Sequence, residues 1–81
     1  MKNQLSFLES TQVLTLEGDF DALACEELTP ILERMPGCAE EVLVDMSQVH
    51  FIDSSGIGAL VFLYKRLLNA GCYLHLVCKP G

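Results

Sequence analysis

The stretch "HFIDSSGIGALVFLYKRLL" (residues 50–68) decides how the rest of the chain is read. An apolar run ends at Ile52. A polar corner of Asp53, Ser54, Ser55 and Gly56 follows, and apolar residues then return at a different spacing. Ile57, Leu60, Val61, Tyr64, Leu67 and Leu68 recur with a period of about 3.6 residues, which predicts a helix over residues 54–69 with these side chains as its buried face. Asp and Ser suit a helix start because their side-chain oxygens accept backbone N–H groups that the first turn leaves unpaired. Gly71 sits just past the end, where a glycine closes helices well. The corner is also an anion seat by its chemistry, since first-turn N–H groups and the helix dipole favour a phosphate by about 0.3–1 kcal/mol at an exposed site. Gly56 would let another backbone or a phosphate approach closely.

On either side of this stretch the apolar period switches again. "CYLHLVC" (residues 72–78) reads as a strand, and so does "EEVLVDM" (residues 40–46), with Ser47-Gln48 as a turn and "VHFI" (residues 49–52) leading into the corner. "DFDALACEELTPILERMPG" (residues 19–37) places Leu28, Ile31, Leu32 and Met35 on one helical face, flanked by Leu23 and Cys25. A helix is expected over residues 21–35, capped by Asp21 and ended by Pro36-Gly37. Pro30 lies inside it. An interior proline loses a hydrogen bond and clashes with the preceding turn, so a kink near residues 26–29 or two short helices are expected. "QLSFLE" and "QVLTLEG" (residues 4–9 and 12–18) read as strands joined at Ser10-Thr11. Strands are thus expected near residues 4–9, 12–17, 41–46 and 72–78. The order is β-β-α-β-α-β. Right-handed crossovers through the helices make this an α/β fold, a mostly parallel sheet with an antiparallel N-terminal edge hairpin.

The chain has 81 residues, which sets a single domain over residues 1–81. Half of the residues are hydrophobic, too many for a disordered chain. No apolar run reaches the ~20 residues that span a bilayer, and "MKNQLSFLEST" lacks the apolar core of a signal peptide. A soluble cytoplasmic protein with no direct membrane insertion is expected. The four cysteines, Cys25, Cys38, Cys72 and Cys78, form no C-x-x-C pair and are expected to be reduced, with Cys38 in a loop. All eleven carboxylates lie at or before Asp53, and the net charge is −6. An acidic chain repels phosphate backbones, so nucleic acid is not an expected partner; the carboxylates read as a solvated surface or, functionally, as an acidic face that meets a basic partner.

Enzymatic readings find little support. His50, Asp53 and Ser54 include the residue types of a triad, but no G-x-S-x-G elbow holds them, and neighbours in sequence seldom have triad geometry. "GIGALV" lacks the third glycine of a dinucleotide loop and falls inside the helix. Cys72, His75 and Cys78 fail as a metal site on strand parity, because His75 points away from the two cysteines. The chain is expected not to be an enzyme, and no cofactor is implied.

The continuous segment "VLVDMSQVHFIDSSGIGALVFLYKRLLNAGCYLHLV" (residues 42–77) resembles the STAS domain, the anti-sigma-factor antagonist family of bacteria. That family shows a strand ending in Asp-(Leu/Met)-Ser, a hydrophobic step, Asp-Ser-Ser-Gly-(Leu/Ile)-Gly, an amphipathic helix with Lys or Arg in its second half, a glycine and a strand. "LEGDFD" (residues 16–21) resembles its L-x-G-E-L-D, with Asp19 in place of the usual Glu. The resemblance implies a partner switch. Ser54 would be phosphorylated by an anti-sigma factor with serine-kinase activity, bound to ATP. Unphosphorylated protein would bind that kinase and free the sigma factor, and a phosphatase would reset the cycle. The implied switch corner comprises Asp21, Asp53, Ser54, Ser55 and Gly56. Phe62 falls about 20° from Ser55 on a wheel of ~100° per residue, beside Arg66, and joins the corner as a candidate partner contact. A rival within the family is a non-switching accessory subunit of a lipid or anion transporter. Family members continue past the last strand with a helix, a strand and a final helix, whereas this chain stops at Gly81. The final strand is therefore expected to be an open edge, and self-association through it, or through the surface that those C-terminal elements would cover, is expected.

Overall fold

The structure, a computed structural model, describes residues 1–35 and 40–78. Pro36-Gly37, Cys38, and the segment from Lys79 onward lie outside the described residues. Six elements follow in the expected order: β1 (Lys2–Leu8), β2 (Thr11–Phe20), α1 (Ala22–Arg34), β3 (Glu41–Ile52), α2 (Ser54–Asn69) and β4 (Tyr73–Cys78). They form a four-stranded sheet in the order β1-β2-β3-β4, antiparallel at β1/β2 and parallel elsewhere.

Strand alternation sets which side of the sheet is covered. Leu5, Leu14, Val44 and Leu76 are successive register partners, as are Phe7, Gln12, Val42 and Leu74. Both rows face the helices, and their central members Gln12, Leu14, Val42 and Val44 are buried. Leu16 and Phe20 from β2, Ala24, Leu28 and Leu32 from α1, Met35 at its C-cap, and Leu63 and Leu67 from α2 join them in the core. Each fully buried aliphatic side chain of this kind stabilises the fold by about 1.5–3 kcal/mol. No helix among the described residues is long and apolar enough to cross a membrane.

Four local expectations need correction. The hairpin turns at Glu9-Ser10, because Leu8 pairs with Thr11 and Glu9 takes the left-handed conformation (φ 56°) that a two-residue hairpin loop requires. β3 does not stop at Met46. Ser47 and Gln48 are part of a bulge: the register jumps from Thr15↔Asp45 to Glu17↔Gln48, and the Asp45 carboxylate accepts the Ser47 backbone N–H at 3.0 Å. A second shift, between Gly18 and Asp19, carries β3 on to Ile52. At Pro30 two short helices do not form: α1 is one helix from Ala22 to Arg34, with Pro30 and Glu26 both exposed.

The fourth correction concerns α2. Of the six residues assigned to its buried face, Leu67 is buried and Leu60 half-buried, but Ile57, Val61, Tyr64 and Leu68 are 54, 45, 52 and 60% exposed. The helix instead meets the sheet through Gly56, Leu63 and Leu67, about 110° around the wheel from the exposed stripe. Exposure of that stripe does not undo the fold, since the β-strand pairing and the shared core of α1, α2 and the sheet stand without it.

Candidate functional site at the strand ends

β2 and β3 finish side by side, with Phe20 paired to Ile52. The next residue of each strand begins a helix. Asp21 accepts the Ala24 backbone N–H at 3.0 Å, and Asp53 Oδ1 accepts those of Ser55 at 2.9 Å and Gly56 at 3.2 Å. The Asp53 backbone N–H also donates to the Phe20 carbonyl at 3.3 Å, which locks the two junctions together. Two helix N-termini and two carboxylates thus share one corner.

Because Asp53 caps α2, the serines do not. Ser54 opens the helix, is exposed, and its hydroxyl has no hydrogen-bond partner among the described residues. Ser55 is exposed as well. Asp53 Oδ1 is engaged in the cap, and His50 is exposed.

Gly56 is buried, and the close approach it permits is to the protein's own backbone. A Cβ there would stand 2.7 Å from both the Phe20 carbonyl oxygen and Ile52 Cγ1. The missing side chain is what lets the start of α2 descend onto the end of β2.

Phe62 lies on the flank of α2 that faces α1. With Ser55, Ala59, Cys25, Thr29 and Leu32 it lines an open groove of about 240 Å³ leading away from the corner. The Arg66 guanidinium lies 5.4 Å from the Phe62 ring centroid and donates to the Glu33 carbonyl at 3.1 Å, bridging the helices at the groove's far end. The structure therefore brings together all six candidate residues: Asp21, Asp53, Ser54, Ser55 and Gly56 at the corner and Phe62 along the adjoining groove.

Cys25 belongs to this site and sequence reading missed it as a functional-site residue. Burial, then the Asp53 and Asp21 charges, push its thiol above the usual cysteine range. Its place one helical turn after Asp21 was the available signal.

The sequence model of the family described as "Mlab, STAS domain" matches residues 3–80. No curated protein matches the chain. Several solved structures share its fold. An anti-sigma factor antagonist from Mycobacterium paratuberculosis has a TM-score of 0.86 at 18% identity, over 98% of this chain and 68% of that one. The anti-sigma factor antagonist SpoIIAA in its unphosphorylated form gives 0.79 at 23% identity, over 93% of this chain and 71% of that one. A sulfate transporter family protein from Wolinella succinogenes gives 0.74 at 20% identity, over 88% of this chain and 58% of that one. At such identities the likeness is one of fold.

Proposed function

The chain belongs to the STAS-domain family, and from that premise we propose that it is a cytoplasmic protein-binding switch, an anti-sigma factor antagonist that binds a serine-kinase anti-sigma factor while Ser54 is unmodified. One observation carries this reading. A serine hydroxyl is left exposed and unpartnered at a helix N-terminus because the preceding aspartate already caps the helix.

The chemistry follows from the surroundings. The kinase transfers the γ-phosphoryl group of its ATP to Ser54 Oγ: the Oγ–P bond forms, the bond to the β-phosphate oxygen breaks, ADP leaves, and the hydroxyl proton passes to a base of the kinase. The product carries about −1.5 to −2 charges at pH 7. The first-turn N–H groups and the helix dipole accommodate it, so the fold survives. An interface built over the corner does not, because the dianion joins Asp21 and Asp53 at a surface that must lose its water. Like-charge repulsion there costs binding several kcal/mol. Hydrolysis by a phosphatase restores the contact.

The test is binding of the cognate kinase by calorimetry. Ser54→Asp folds normally and binds weakly; Ser54→Ala binds and is not released by ATP; Ser55→Ala is milder. Phosphopeptide mapping that puts the modification on Ser55, or finds none, overturns the assignment. A second reading, a non-switching accessory subunit of a lipid or anion transporter, draws support from the fold shared with the Wolinella sulfate transporter protein. It expects a transporter ATPase in a pull-down and no effect of Ser54→Asp on capture.

A further inference from the structure

β1 ends the sheet on one side, and among the described residues nothing pairs with its outer edge. Every residue from Lys2 to Leu8 is exposed. Which backbone groups point outward follows from the hairpin. In an antiparallel pair, hydrogen-bonded and non-hydrogen-bonded residues alternate. The two-residue loop at Glu9-Ser10 makes Leu8↔Thr11 the first bonded pair. Ser6, Gln4 and Lys2 therefore bond β2 as well, and the N–H and C=O groups of Asn3, Leu5 and Phe7 face away from the sheet. The register with β2 runs from Lys2 to Leu8 without a shift, and the strand carries no proline and a single charge, Lys2. Bulges, prolines and clustered charges, the features that guard a sheet edge, are missing. Met1 does not cover the edge either. It packs against the core, and its amino group lies 3.4 Å from Glu27 Oε2 of α1.

We propose that this edge pairs with the β1 edge of a second copy of the chain, antiparallel about a two-fold axis, so that the two sheets join into one. The backbone selects both the occupant and the register. An open row of donors and acceptors takes an extended strand, and β1 is itself such a strand with the matching row. One symmetric alignment uses all three outward residues: Leu5 lies opposite the partner's Leu5, Asn3 opposite the partner's Phe7, and Phe7 opposite the partner's Asn3. Each of these pairs exchanges two hydrogen bonds, and a slip of two residues loses one pair. The side chains agree. Leu5 and Phe7, 42 and 59% exposed, share the helix-facing side, so the joint covers a central Leu5 pair with a Phe7 diagonal to each. On the other side Gln4 meets the partner's Ser6, and Lys2 the partner's Leu8, so no charge opposes its like. β1 holds no carboxylate although the chain's net charge is −6, and two copies meet here without setting acid against acid. A pair of edges of this length buries on the order of 1,000 Å² in all, the low end for a specific interface. Whatever follows β4 does not enter, because β4 lies at the opposite edge with β2 and β3 between. No residue of the switch corner takes part, so the dimer and the switch are tested separately.

Sedimentation equilibrium of the 81-residue chain tests it. The expected result is a reversible monomer–dimer equilibrium with a midpoint on the order of 100 µM, as suits an interface of this size. Leu5→Pro is the sharpest variant. The N–H it removes points away from β2, so the far-ultraviolet circular dichroism is kept while the midpoint rises at least tenfold. Leu5→Lys and Leu5→Glu each set like charge against like across the axis. Alone, each associates at least tenfold more weakly than wild type, and an equal mixture of the two recovers the dimer. Should the Leu5 variants fail to fold, the wild-type protein still decides: as its concentration rises, the Leu5 and Phe7 amides gain protection from hydrogen exchange and those of α2 do not. A monomer up to about 1 mM, a dimer indifferent to Leu5→Pro, charge variants that associate no better mixed than alone, or protection that rises on α2 or β4 instead would each overturn the proposal.

Discussion

Asp21 and Asp53 occupy equivalent positions on adjacent parallel strands: each follows one member of the register pair Phe20↔Ile52, and each caps the helix that comes next. Parallel pairing is the reason. Two parallel strands deliver their C-terminal ends to the same sheet edge, so two strand–helix junctions with the same local chemistry come to lie together. The corner is acidic because both junctions use aspartate as the cap, and Ser54 opens α2 directly after one of them.

The two glycines of "GIG" are predicted to respond oppositely to alanine. At Gly56 a Cβ would overlap the Phe20 carbonyl oxygen and Ile52 Cγ1, so Gly56→Ala lowers stability by about 1–3 kcal/mol despite its better helix propensity. At Gly58 a Cβ meets nothing within 4 Å, so Gly58→Ala raises stability by up to about 1 kcal/mol. Urea denaturation of the two variants side by side measures both signs.

Asp53 contributes through its cap. Removing the acceptor in Asp53→Ala costs about 1 kcal/mol, while Asp53→Asn keeps an acceptor oxygen and costs only a few tenths. Thermal unfolding distinguishes the pair. Equal losses in both would place the contribution in charge and not in the hydrogen bonds to Ser55 and Gly56.

Cys25 reports the electrostatics of the corner. Its raised thiol pKa, owed first to burial and then to Asp53 and Asp21, predicts slower alkylation at pH 8 than at the exposed Cys78. Asp53→Asn and Asp21→Asn accelerate Cys25 and leave Cys78 unchanged. Peptide-resolved iodoacetamide labelling reads both rates.

The bulge in β3 predicts a pH dependence. Hydrogen bonds from the Ser47 backbone N–H and then its side chain hold the Asp45 carboxyl below the ordinary aspartate value of 3.8. A folded-state pKa below the unfolded one means that the unfolded chain takes up the proton first. The contribution is therefore complete above the ordinary value and is lost as pH falls through the folded one. Wild type is more stable than Asp45→Asn at neutral pH, and the gap closes as acid protonates Asp45. Thermal melts of both proteins from neutral pH down into the acid range follow it; a gap that widens in acid contradicts the assignment.

The kinds of element, their order and the two aspartate-capped strand–helix junctions were legible along the chain because each rests on local chemistry. The change from strand to helical spacing at Asp53 needs only neighbouring residues, and so do the two aspartate caps. Reading Ser47-Gln48 as a turn failed because a polar pair looks the same in a turn and in a bulge. What separates them is whether a partner strand continues alongside, and here β2 does. Pro30 does not divide α1 into two helices; it and Glu26 lie on an exposed face, where a carbonyl without its N–H partner can turn to water.

The apolar residues of α2 mark where local reading ends. By itself the sequence determined that this helix is apolar over more than half its circumference, that aspartate starts it and that a serine hydroxyl stands at its first turn. A wheel sums all apolar positions into one broad face and cannot divide them. The tertiary structure made the division: the sheet takes Gly56, Leu63 and Leu67, α1 borders Phe62, and Ile57, Val61, Tyr64 and Leu68 remain exposed. Which side chains leave water depends on what packs against them, and those surfaces come from strands and a helix distant in sequence.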